Sequence, residues 1–172
     1  VAVGGMIAQS SMQRAGLVGP RVVPGKYKVV IKADGKEYVQ SIDILPNPQK
    51  GFTLQEAVKL KEQATRLFNL EEKLFYLVDT TDKTIAKLTA KNGKNEKEIK
   101  QLQQLADLRK ELIETNRKSI FFDETKFRKK VSDLYLTVAT AIEPLSNSKA
   151  SAIEILEKEF EDWKQKVYDV LK

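Results

Sequence analysis

The sequence predicts a mainly α fold with a small β part: an antiparallel bundle of three to four helices preceded by a β-hairpin from a truncated β-sandwich. Three observations carry that reading. The stretch Thr53 to Asn92 contains no Gly or Pro, and its apolar residues Leu60, Ala64, Leu67, Leu74, Val78, Ile85 and Leu88 recur at alternating steps of three and four. Asp34-Gly35 separates two segments of alternating polarity, the turn signature of a two-residue hairpin. Near the end, Ile153, Leu156, Phe160, Trp163, Val167 and Val170 repeat the helical spacing without a break.

Composition narrows the functions open to such a chain. Among its 172 residues there is no cysteine and no histidine. That removes disulfides, thiol nucleophiles, thiolate metal sites, the commonest general base and nearly all zinc, copper and haem ligand sets. Only carboxylates remain for acid–base or metal work. No apolar run reaches the roughly 18 residues of a membrane span, and Val1 to Ala8 is too short and too uncharged for a signal peptide. The opening on Val1 suggests a piece of a longer protein. The formal net charge of +6 is uneven: residues 1–52 hold seven basic and three acidic side chains, residues 53–122 fourteen and eleven, and residues 123–172 nine and ten. Lys and Glu alternate along the helices at ion-pair spacing, without the basic stripe and aromatic platforms of a nucleic-acid surface, so no nucleic acid is expected as a partner.

Five glycines and two prolines in residues 1–25 give no sustained period, so this part reads as loop, or as one irregular strand near Met6 to Ala8. From Lys26 the polarity alternates, with Tyr27, Val29 and Ile31 on one face and Lys28 and Lys32 on the other. Counting outward from the Asp34-Gly35 turn pairs Ile31 with Tyr38, Val29 with Gln40, Tyr27 with Ile42, and Lys32 with Glu37. Pro46 and Pro48 end the pairing beyond Leu45. A lone two-stranded hairpin is marginal in water, and 45 residues are too few for a sandwich. The hairpin is therefore expected to be the end of a sheet whose other strands precede Val1.

The first helix is expected from Thr53 to Leu88, with Thr53 and Glu56 as a capping box and a second apolar row of Leu54, Val58, Phe68 and Phe75 widening its buried face. Asn92-Gly93 reads as its stop. Asn95 caps a second helix from about Glu96 to Arg117, with Ile99, Leu102, Leu105, Ala106, Leu112 and Ile113 in register. Asp123 can cap a third helix carrying Phe127, Val131, Leu134, Val138 and Ile142, closed by Pro144. The last helix follows a polar turn over Leu145 to Ser148. Short connections imply antiparallel neighbours. The bundle has four helices, or three if the second and third run on through Phe121.

The run Pro24-Gly25-Lys26-Tyr27-Lys28-Val29, the Asp34-Gly35-Lys36 turn, Gln40, and Ile42 to Leu45 with the Pro46 exit resemble the C-terminal region of large bacterial β-propeller proteins with BNR (Asp-box), sortilin-like repeats, often labelled glycosyl hydrolases. In that family a kinked helix, a Pro-containing turn and a last helix with a tryptophan follow, which here look like Phe127 to Ala141, Pro144 and Trp163. The family's exit usually reads Asp-Pro-Arg where this chain has Asn47-Pro48-Gln49. The resemblance implies residues 1–47 as the last strands of an immunoglobulin- or fibronectin-like sandwich and residues 48–172 as the bundle. It also implies an upstream propeller as partner and a periplasmic or extracellular location. No propeller residue and no Asp-box is present, so no functional residue carries over.

A glycosidase needs two carboxylates about 5 to 10 Å apart, one with a raised pKa. The acidic pairs here are Glu71 with Glu72, Glu157 with Glu161, and Glu161 with Asp162. All lie on helices amid lysines, and Glu62–Arg66, Asp79–Lys83, Glu114–Lys118 and Glu154–Lys158 read as ordinary helical pairs. Glu71, which with Thr81 interrupts the apolar row of the first helix, is the one carboxylate inside it, as a polar layer or a partner for a lysine on another helix. Arg128, Lys129 and Lys130 read as the outer face of the third helix, and Phe160 and Trp163 as core, with Trp163 largely buried against the first helix. Phe121 and Phe122, if exposed, would form a contact site. No catalytic, cofactor or metal residue is assigned. The expected function is a non-catalytic accessory, docking or scaffolding module of a larger secreted protein, self-associating through residues 1–45 when alone. The alternatives are part of a glycoside hydrolase with its catalytic residues upstream, or a cationic binder of nucleic acid or acidic surfaces.

Overall fold

A computed structural model describes residues 19–46, 53–113 and 126–172. It is mainly helical, with four helices following a two-stranded antiparallel sheet among the described residues. The expected strand near Met6, the Asp123 cap, the Glu114–Lys118 pair and Phe121 and Phe122 lie outside the described residues.

Strands β1 (Gly25–Ala33) and β2 (Lys36–Ile44) pair in the register counted from the turn, Tyr27 opposite Ile42 and Lys32 opposite Glu37. Asp34 and Gly35 have φ of +51° and +72°. Both lie in the left-handed region that a type I′ turn demands and that Asp-Gly tolerates. Lys32 and Glu37 stand 3.4 Å apart across the strands.

The first helix, α1 (Leu54–Ala90), has 37 residues and a length of about 55 Å. Its capping box forms as expected: the Glu56 backbone N–H donates to Thr53 Oγ1, and the Thr53 N–H donates to Glu56 Oε2. Lys91 ends it, and Gly93 turns the chain at φ +72°. The first apolar row is where periodicity puts it, but the second is not. Leu54, Val58, Phe68 and Phe75 are exposed, and the buried face widens the other way, through Leu70, Leu77 and Thr81. Both rows flank the Leu67–Leu74 line at helical spacing; the covering helices pack over the leucine side.

Those covering helices are α2 (Glu96–Leu112), α3 (Phe127–Ala139) and α4 (Asn147–Leu171). Asn95 and Glu98 cap α2 reciprocally. Ile99 is exposed, because α2 presents Leu105 and Leu112 to the core instead. Helix α3 starts from an extended Lys126 without a side-chain cap and stops at Ala139, so Ile142 lies beyond it and is exposed. Helix α4 is capped by Ser146, inside the expected turn.

The polar contacts fix the directions. Along α1 and α2, Lys91 meets Glu98 and Asp82 meets Arg109, so these two are antiparallel. Along α1 and α3, Phe68 lies against Tyr135, ring centroids 5.9 Å apart, and Glu71 against Ser132, again antiparallel. Helices α2 and α3 therefore run the same way, end to end, with α2 beside the C-terminal half of α1 and α3 beside the N-terminal half. This corrects the expectation that every successive pair is antiparallel. Ile113 has left helical geometry before the gap, so they are two helices sharing one lane of a three-lane bundle. Helix α4 fills the third lane, tied to α1 by Arg66–Glu157, to α3 by Lys130–Glu159 and to α2 by Gln101, whose Nε2 donates to the Val170 carbonyl at 2.7 Å.

The core holds Leu67, Leu74, Leu105, Phe127, Tyr135 and Ile153, with Phe127 stacked on Phe160 at 6.4 Å. Trp163 is partly buried, packed at the margin of the core, with Lys166 over its ring and its Nε1 donating to Glu159. No strand residue belongs to this core, and neither strand packs on a helix among the described residues.

Candidate functional site

Two of the carboxylates weighed for hydrolysis, Glu157 and Glu161, each take a separate cationic partner. Glu157 turns to α1, where Arg66 grips it with two hydrogen bonds of 3.0 and 2.6 Å. That guanidinium holds the Glu157 carboxyl below the usual carboxylate range, against a weaker effect of burial. It also takes Arg66 away from Glu62, its expected helical partner. Glu161 pairs with Lys164 at 2.7 Å on the exposed side, and Asp162 is exposed next to it. Asp79 and Lys83 do form their i,i+4 pair.

Glu71 is the carboxylate with a distinct setting. It sits where α2 gives way to α3, in a groove of about 310 Å³ walled by Phe68, Leu74, Phe75 and Ile113. Ser132 Oγ donates to its Oε1 at 2.6 Å. Burial pushes the carboxyl above the usual range, while the Ser132 hydrogen bond and the charge of Arg128 pull it back. Glu71 in turn helps burial raise the Tyr135 phenol. The partner across the interface is thus a serine with an arginine nearby, which fits the polar-layer reading of Glu71 and not the lysine one. Glu72 lines the same groove and is exposed.

The basic run divides among three surroundings and is not one outer face. Arg128 borders the Glu71 groove, Lys129 pairs with Asp133 on its own helix, and Lys130 reaches Glu159 of α4 at 3.1 Å. Every fully buried side-chain nitrogen or oxygen among the described residues has a hydrogen-bond partner. No group of three or more acidic residues among them could hold a metal ion, and no described helix is long and apolar enough to cross a membrane.

What the fold leaves unsatisfied is the hairpin. Ile31 and Tyr38 face each other across the ladder and are 59% and 57% exposed, and Val29 and Ile42 continue the same open face. On the reverse face Val30 pairs with Val39, and these are 46% and 55% exposed. Assigning that face to lysines alone passed over this pair, although both valines were legible in the alternation. The two strands pair only with each other among the described residues. Among the described residues the hairpin meets the bundle at its root, where Arg21 donates to the Ala141 carbonyl at 3.3 Å. The Tyr27 hydroxyl donates to the Val23 carbonyl and pins the approach to β1.

Compared with protein families, with curated proteins and with solved structures, the chain matches none.

Proposed function

We propose that this chain is a non-catalytic docking module, in which the hairpin is the end of a β-sheet that another polypeptide completes. The carrying observation is the hairpin itself, with exposed apolar residues on both faces and, among the described residues, no strand along either edge and no place in the core. An isolated two-stranded sheet is barely stable in water, and unpaired strand edges recruit further strands. The upstream part of a larger secreted protein of the β-propeller kind is the polypeptide that the resemblance assigns to this role. The bundle supplies the rigid body that carries the sheet.

The reading has a direct consequence in solution. Without its partner the chain associates with a second copy through the open face, so its sedimentation coefficient rises with concentration. Replacing the cross-strand pair by Ile31→Glu with Tyr38→Lys keeps a favourable pairing across the ladder and removes the apolar face. The double variant sediments as a monomer. A parent chain that stays monomeric at all concentrations, or a variant that associates as strongly, overturns the proposal.

A further inference from the structure

Under the root of the hairpin lies a second cavity, of about 180 Å³, between the first turns of α1 and the end of α3. Small side chains create it: Ala57 and Ala64 from α1, and Ala139 and Ala141 from α3 and the turn beyond it. Leu60 and Val138 close its floor, and Pro24 and Pro46, on the two chain segments that enter and leave the hairpin, form part of its wall. Two cations reach it, Arg21 and Lys61, and among the described residues no carboxylate lines it. Arg21 is held at this spot by its bond to the Ala141 carbonyl. Lys61 is exposed beside the opening.

The geometry points to a binding site for a medium-chain carboxylate, a small anionic amphiphile whose apolar tail fills the cavity and whose carboxylate meets Lys61 and Arg21. A cavity near 150 Å³ takes up a benzene ring, so this one accommodates a tail of about six to eight carbons. Charge complementarity selects the head group, since both charged side chains among the described residues of the site are positive. Arginine and lysine beside a carboxylate gain a charge-assisted hydrogen bond. The tail gains because apolar walls already shaped to receive it lose little on ordering. This site is separate from the open strands, and does not depend on how the sheet is completed.

Octanoate is the probe, titrated into the full chain and followed by methyl chemical shifts, with octan-1-ol as the uncharged control. Shifts are expected at Ala57, Ala64, Val138 and Ala139, with octanoate binding about tenfold more tightly than the alcohol. Lys61→Gln reduces that preference severalfold, and Ala57→Leu, which fills the cavity from the exposed side of α1, abolishes binding. Circular dichroism checks that each variant folds. Should Ala57→Leu unfold the chain, Lys61→Gln and the alcohol control still decide. Equal affinity for octanoate and octanol overturns the inference. So do shifts confined to the hairpin or the Glu71 groove, no saturable binding, or binding of a peptide ending in Leu where octanoate fails.

Discussion

Tyr135 and Trp163 separate two aromatic residues that a helical row treats alike. Tyr135, four residues after Val131 and three before Val138, shares the apolar face of α3 and is fully buried against Phe68, near the Glu71 carboxylate. Trp163 stands in the row of α4 yet is partly buried under Lys166. Tyr135→Ala is therefore expected to cost about 3 to 5 kcal/mol and Trp163→Ala roughly 1 to 2. Urea midpoints compared with that of the parent chain test the order; a larger loss at Trp163 contradicts it. Glu71 gives the second residue-scale prediction. Its folded-state pKa is raised by burial, so the folded chain holds this proton more tightly than the unfolded one. Its effect is to lower stability as pH rises from the ordinary carboxylate range through the raised value. Glu71→Gln retains an acceptor for Ser132 and removes that loss, so its stability gain over the parent grows with pH across this window. A gain that shrinks instead contradicts the assignment. Glu157 acts oppositely: depressed by Arg66, it adds stability above its ordinary range that is lost as pH falls through the lower folded value. The pair is more than a third exposed and contributes at most about 1 kcal/mol.

At the scale of elements, the sequence is most readable where backbone chemistry is local. The capping boxes at Thr53 and Asn95 and the left-handed Asp34-Gly35 turn each depend on residues within four positions, and each forms as read. Asn95→Ala is expected to cost about 1 kcal/mol, because it strips the acceptor of the Glu98 backbone N–H. Asn95→Asp restores most of it. Equal stability of all three chains by thermal unfolding would show that the turn, with its Lys91–Glu98 pair, orders α2 without the cap. Periodicity served less well for choosing a second buried row. On α1, Phe68 and Phe75 lie on one flank of the central row and Leu70 and Leu77 on the other. Greater side-chain size favoured the aromatic flank, whereas burial follows the side on which neighbouring helices stand. That side is a tertiary fact, absent from a single helix. The exit of α3 at Ala139 shows the same limit, since a proline five positions later marks where a helix cannot continue and not where it stops.

For the whole molecule, the four-helix alternative holds among the described residues and the three-helix one does not, since α2 and α3 are separate helices. They occupy one lane beside α1, so three lanes make the described body. Loop length did not reveal this, because α2 ends at Leu112, before the expected Arg117, and α3 starts at Phe127, so the two helices are farther apart in sequence than the short connection expected. The Glu71 groove sits at that break and was legible only as a carboxylate out of place in an apolar row. The hairpin's register was fully legible, and its lack of cover followed from counting strands. Its connectivity has a mechanical side. The chain enters β1 at Gly25 and leaves β2 at Ile44, and these two residues are the first pair of the ladder. Tension between the preceding chain and the bundle therefore pulls that pair apart and then each next one in turn, so the hydrogen bonds carry the load singly and never together. Stretched alone, the hairpin opens like a zipper before any helix yields, releasing twenty residues (25 to 44), or about 70 Å of contour. A strand added along either edge lies across that path and shares the load, so the same twenty residues become a strut when the sheet is complete and a slack tether when it is not.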